Sequence, residues 1–263
     1  DGRRVITANQ NEANARVWET ETGNFLFSLE GHFAPLTMAV FSPDGATIAS
    51  ASYDGAARLW SAKDGSPLFL LEGDGREVWS VGFSPDGTAV LTAGEDGTAR
   101  LWSVADGRPL AVLQGHTAAL NDARFSPDGQ FIVTASNDHT ARLWRADGAP
   151  VAVLAGHTGR VRSAQFSPDG AQILTAGDDG QAFLWNGLTG QLAQTLAGHR
   201  DAILQAGFGP TGTQVVTAGA DGLALYWLPY PDLAAMRVEA ARRLSRPLNE
   251  AECAQYLRGE ACP

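Results

Sequence analysis

Residues 78–113 alternate short apolar or β-branched runs with clusters of Gly, Asp and Pro. VWSVGF reads as a strand, SPDG as a turn, TAVLTA as a strand, GEDG as a turn, TARLWS as a strand, VADGR as a turn and PLAVL as a strand. Such runs suit a pleated, part-buried backbone, and the residues between them suit tight turns. The pattern predicts four antiparallel strands, and it returns along most of the chain. Trp18, Trp60, Trp102, Trp144, Trp185 and Trp227 are spaced 42, 42, 42, 41 and 42 residues apart. FSPDG recurs at 41–45, 83–87, 125–129 and 166–170, with a degenerate FGPTG at 208–212. Gly-His pairs ending at His32, His116, His157 and His199 keep the same phase. A four-stranded sheet of about 42 residues cannot bury both faces alone, so the units must stack on their neighbours. The chain thus supplies the last three strands of a first unit, four complete units and the first three strands of a sixth.

The period changes beyond residue 228. Leu233, Met236, Ala240 and Leu244 fall on one helical stripe, and after Pro247 the residues Asn249 and Glu252 resemble a capping box with Leu248 and Cys253 at staple positions. Two short helices are expected, forming a tail over 229–263 that is separate from the repeats of 1–228. It either caps the last unit or offers a helix to a partner. Both cysteines, Cys253 and Cys262, lie in this tail. They form a disulfide in an oxidising compartment or remain thiols in a reducing one, and without His or Asp partners they make a poor metal site.

Composition narrows the class of function. The 263 residues are 44% hydrophobic, and no run reaches the eighteen or more apolar residues of a membrane helix, so no membrane insertion is expected. A net charge of −10 argues against nucleic acid, which demands clustered Lys and Arg. Much of the acidity belongs to turns: Asp44, Asp86, Asp128 and Asp169 recur in one, Asp54, Asp96, Asp138, Asp179 and Asp221 in another. No GxSxG, HExxH or phosphate-binding GxxxxGK[ST] is present, and the carboxylates are not set in facing pairs. The opening DGRRVITANQ has none of the parts of a signal peptide. A cytoplasmic location is expected, with an exported sensor as the alternative.

Four strands per unit, a Gly-His pair before the first strand and a tryptophan closing the third resemble the WD-repeat (WD40) β-propeller family. The Trp-Asp dipeptide itself is missing, because Glu19, Ser61, Ser103, Arg145, Asn186 and Leu228 follow the six tryptophans. The resemblance implies an all-β propeller truncated at its N-terminus, seven-bladed in the full protein, with the short α-helical tail. It also implies structural tetrads of His, Ser or Thr, Asp and Trp. These are His32, Ser50, Asp54 and Trp60; His116, Thr134, Asp138 and Trp144; His157, Thr175, Asp179 and Trp185; His199, Thr217, Asp221 and Trp227. The fifth histidine, His139, replaces a turn glycine and is expected at an exposed tip. The function implied is a non-catalytic scaffold or sensor for a protein partner, without cofactor or metal. Such modules belong to larger bacterial signalling proteins, so fusion to upstream domains is expected. A small-ligand sensor in the central channel and a propeller enzyme are the alternatives.

Positions common to all units are explained by packing, so the varying ones carry the candidates for binding. The residue after the first hydrophobe of each first strand is Thr37, Trp79, Asn121, Arg162 or Leu204. Neighbouring positions hold Arg76, Glu77, Arg160 and Asp201, and the residue before each turn Asp is Tyr53, Glu95, Asn137, Asp178 or Ala220. The resemblance implies that these positions share the face around the channel that bears the Gly-His and Asp turns. One unit departs twice: Asp74 stands where its sisters have histidine, and Trp79 lies outside the tryptophan rhythm. Trp79 beside Arg76 has the composition of an interface anchor, or else it fills the channel mouth.

Overall fold

A computed structural model describes residues 2–8 and 11–228. Among these, every regular element is a strand. The first sheet contains β1 (Arg4–Ala8), β2 (Ala15–Glu19) and β3 (Phe25–Leu29). The second contains β4 (Leu36–Phe41), β5 (Thr47–Ser52), β6 (Ala56–Ser61) and β7 (Pro67–Glu72). The third is built from β8 (Val78–Phe83), β9 (Ala89–Gly94), β10 (Ala99–Ser103) and β11 (Pro109–Leu113). The fourth follows with β12 (Leu120–Phe125), β13 (Phe131–Ser136), β14 (Thr140–Arg145) and β15 (Pro150–Ala155). The fifth has β16 (Val161–Phe166), β17 (Gln172–Gly177), β18 (Gln181–Asn186) and β19 (Leu192–Ala197). The sixth has β20 (Ile203–Phe208), β21 (Val215–Gly219) and β22 (Ala224–Trp227). Each sheet is an antiparallel meander in chain order, and the four strands expected over 78–113 are present. The expected tail helices, Cys253 and Cys262 lie outside the described residues.

Burial explains both the period and the stacking. The second strand of each complete sheet is almost wholly buried, as in β13 and β17, whereas the outermost strand is mostly exposed with a single buried position. The apolar side chains therefore meet between sheets. Val133, Leu143 and Leu154 of the fourth sheet pack on Val161, Phe166 and Trp185 of the fifth. Equivalent cores join the first sheet to the second, the second to the third, the third to the fourth and the fifth to the sixth. Burying one Leu or Val side chain contributes about 1.5–3 kcal/mol, so no sheet retains that stabilisation if its neighbour is removed.

The turns work as their composition suggests. In SPDG, Asp44 accepts the amide of Ala46 at 3.0 Å, and Gly45 takes φ +70°. Bonding from Ser42 and from that amide holds the Asp44 carboxyl below its ordinary pKa. In the other turn the position held by Gly55, Gly97, Gly180 and Gly222 at φ 72–86° is taken in the fourth sheet by His139 at φ 69°, with its side chain exposed. A histidine tolerates this left-handed conformation better than a β-branched residue would.

Candidate interaction face

Antiparallel pairing places three features of every sheet at one end: the connection from the preceding sheet, the start of the first strand, and the turn before the third strand. The SPDG turns fall at the opposite end. At the first end the four expected tetrads form. Trp60 Nε1 donates to Ser50 Oγ at 2.8 Å, and Ser50 Oγ lies 2.7 Å from His32 Nε2. The other ring nitrogen, Nδ1, is 2.8 Å from Asp54 Oδ2. Thr134, Thr175 and Thr217 link Trp144 to His116, Trp185 to His157 and Trp227 to His199 at 2.8–2.9 Å. A hydroxyl has one proton, so the oxygen that accepts from tryptophan donates to His Nε2. The imidazole then carries its proton on Nδ1 and gives it to the carboxylate.

The electrostatics agree with a neutral ring. Burial, the largest effect, pushes His32, His116 and His157 below the usual histidine pKa despite the partner carboxylate. For Asp138 burial acts upward, but hydrogen bonds from Thr140, His116 and the Thr117 amide together with the His116 charge outweigh it and bring the pKa down to about 2. Each aspartate also accepts the amide just after the histidine, at 3.0 Å from Phe33 and 2.9 Å from Thr158. The tetrad therefore clamps the connection between sheets. The Gly-His glycine is required because the tryptophan edge reaches its backbone: a Cβ at Gly156 would sit 3.3 Å from the Trp185 ring.

The third sheet solves the same problem differently. With Asp74 in the histidine position, Arg100 forms an ion pair with Asp96, both side chains largely buried. Thr92 still accepts Trp102 Nε1 at 2.8 Å, and Gly73 lies against the Arg100 guanidinium, as Gly115 lies against that of Arg142, whereas Gly31, Gly156 and Gly198 meet tryptophan first. Burial raises the Asp96 pKa, but the Thr98 amide, Arg100 and the Thr98 hydroxyl outweigh it and hold the carboxyl low. The arginine was legible as a repeat position shared with Arg58 and Arg142; sequence reasoning missed its use. The first sheet has the same pairing at equivalent positions but exposed, with Thr7 accepting from Trp18 at 2.9 Å and Arg16 pairing with Glu12 at 2.7 Å.

A second regularity concerns the varying ring. In every first strand from β4 to β20 the register slips by one residue against the second strand, and the unpaired residues are Thr37, Trp79, Asn121, Arg162 and Leu204. A β-bulge bends the strand and re-aims one side chain out of the ladder. The residues singled out for their variability are thus those the backbone turns aside. Several close on their neighbours. Asn121 donates to Asn137 Oδ1 and to the Val161 carbonyl of the next sheet, both at 2.8 Å, and Arg162 pairs with Asp178. Leu204, Glu95, Arg76 and Arg160 are exposed, with Arg76 3.8 Å from Asp74. Trp79, expected either as an interface anchor or as a filler of the channel mouth, is half-buried, and its Nε1 donates to Glu77 Oε2 at 2.9 Å.

The WD domain, G-beta repeat family matches at residues 23–61, 65–103, 107–145, 148–186 and 190–227. These five stretches cover most of the chain. The protein belongs to the WD-repeat family. No curated protein gives a significant match. The six sheets are consistent with a WD-repeat propeller, and each repeat straddles two of them. Residues 23–61, for example, contain β3 of the first sheet and β4, β5 and β6 of the second. The histidine clamp lies at the crossing within four of the five repeats, and in the repeat of 65–103 the Arg100–Asp96 pair stands at that place.

A cavity of about 490 Å³ runs along the inner strands, lined by Met38, Ser80, Asp122, Arg124, Gln165 and a set of Phe and Pro side chains from the SPDG end. Trp79, Asn121 and Arg162 do not line it. Asn121 and Arg162 are bonded to Asn137 and Asp178, and Trp79 to Glu77. Among the described residues no helix is long and apolar enough to cross a membrane, and no group of three potential metal ligands gathers.

Proposed function

We propose that this chain is a non-catalytic protein-interaction propeller, a scaffold or sensor module of a larger bacterial signalling protein. It engages its partner through the face that bears the Gly-His connections and the Asp turns. WD-repeat domains in general mediate contacts between proteins and are typically non-catalytic. The observation that carries the choice of face is the series of five β-bulges. Each presents a different residue at the same place, whereas the opposite end repeats SPDG in four of its five turns. A surface that varies on a constant frame is where recognition is encoded. The rim positions Tyr53, Glu77, Glu95, Arg160 and Leu204 would make direct contacts, while the Asn121–Asn137 and Arg162–Asp178 pairs hold its shape.

Photocrosslinking in the native cell tests the face. A photoreactive residue at Leu204 or Arg160 should give a discrete protein adduct, and one at Ala46 in an SPDG turn should not. Adducts from Ala46 alone would assign binding to the opposite face.

A further inference from the structure

The bulged residues differ in how they are closed off. In the fourth and fifth sheets, Asn121 and Arg162 each bond to the turn residue of their own sheet, Asn137 and Asp178. Between the second and third sheets the scheme fails. Thr37 donates to the Val78 carbonyl at 2.7 Å, spanning the two sheets as Asn121 spans the fourth and fifth, but Trp79 turns to Glu77 and not to Glu95. Thr37, Tyr53, Glu77 and Trp79 then surround a hollow of about 280 Å³. Its wall is firmly based: the Glu95 amide donates to the Glu77 carbonyl at 2.9 Å, and Gly94 leaves no room for a Cβ against that carbonyl.

The lining has one chemical character. It consists of two aromatic rings, whose faces carry negative potential, a carboxylate, and a threonine. Tyr53 is 37% exposed, Glu95 is exposed beside the hollow, and the nearby Arg76 lies beside Asp74. The indole N–H fixes the orientation of the carboxylate without neutralising it. A cation complements this set, and guanidinium complements it better than ammonium, because its plane stacks on aromatic rings while its fork donates to a carboxylate.

We propose that the hollow formed by Thr37, Tyr53, Glu77 and Trp79 is a subsite for an arginine side chain of the protein partner. This rests on the face assignment above and gives it a chemistry. Trp79 is then an anchor that acts by accepting a side chain, not by inserting one. Its departure from the repeat and that of Glu77, which orients it, belong to a single site.

The test uses the full chain and three blocked tripeptides, Gly-Arg-Gly, Gly-citrulline-Gly and Gly-Lys-Gly. The reporter is the Trp79 indole N–H resonance, identified by its loss in Trp79→Phe. The arginine peptide should shift that resonance saturably, binding roughly fivefold or more tightly than the neutral citrulline peptide and more tightly than the lysine peptide. Glu77→Gln, which keeps the size of the side chain, should abolish the preference for arginine over citrulline. Tyr53→Leu should weaken arginine binding while the denaturation midpoint stays unchanged. Equal binding of arginine and citrulline, a preference for lysine, or no shift at any peptide concentration would each overturn the subsite. If crosslinks at Leu204 and Arg160 persist in that case, the face stands and only the arginine assignment falls. If they too are absent, the face assignment itself has failed.

Discussion

In the fifth sheet Thr175 accepts the Trp185 N–H and donates to His157, whereas Thr92 in the third sheet serves Trp102 with no histidine beside it. The two hydroxyls are buried alike, and they differ in how many partners depend on them. Thr175→Val keeps the shape of the side chain but leaves a buried indole N–H and a buried imidazole nitrogen unpaired. Thr92→Val strands one group. An unsatisfied buried polar group costs about 1–3 kcal/mol, so the first variant should lose ~2–4 kcal/mol and the second ~1–2 kcal/mol. Denaturant unfolding at constant m value reads the difference directly. Equal losses would mean that the histidine link adds nothing to the tetrad. The full tetrads were legible only through the resemblance to WD repeats, which names the four residue types that the recurring positions then supply.

At the scale of the element, the third sheet shows what repetition conceals. Arg58, Arg100 and Arg142 occupy one position in successive third strands, yet only Arg100 reaches the turn aspartate. The Nε atoms of Arg58 and Arg142 are buried without a partner, and Arg142 lies 5.9 Å over the Trp144 ring. Arg100→Ala breaks a largely buried ion pair and should cost ~1–3 kcal/mol, while Arg142→Ala removes a stacked cation and should cost about 1 kcal/mol or less. Adding Asp74→His to Arg100→Ala should restore part of the loss, since the new imidazole would stand where Asp96 and Thr92 can take it up. No recovery would show that the third connection has settled into a path that excludes histidine. This compensation was not legible in the sequence, because an arginine common to three units gives no sign of which carboxylate it reaches. The strands and turns were legible, since alternation and Gly-Asp punctuation are local. The bulges were only half legible: variability marked the five positions, but the slip in pairing that turns them aside is a property of two strands together. The Trp79–Glu77 bond was missed for a similar reason, as adjacent alternation places residues two apart on one face without saying that they bond.

For the whole molecule, the tetrads make stability depend on pH in a definite direction. His32, His116 and His157 have pKa values below their ordinary 6.5 because they are buried. The unfolded chain therefore binds protons that the folded chain refuses, and stability falls as the pH drops below about 6.5. The aspartates add to this at lower pH. Asp138, at about 2 against an ordinary 3.8, contributes stability that is complete above 3.8 and is lost as the pH falls toward 2. Both sets weaken the fold in acid, the histidines from about pH 6.5 downward and Asp138 only below about 3.8. His32, His116 and His157 sit at three of the connections between sheets, and each sheet's core is shared with its neighbours, so the loss spreads along the array. Thermal unfolding followed by circular dichroism should show a melting temperature that declines first as the pH drops below about 6.5 and falls more steeply below pH 4. Replacing His116 and His157 together with glutamine, which cannot take up a proton, should flatten the first decline at some cost in stability at pH 7. The second decline should remain. A first decline that survives the double replacement undiminished would place its origin outside the clamps.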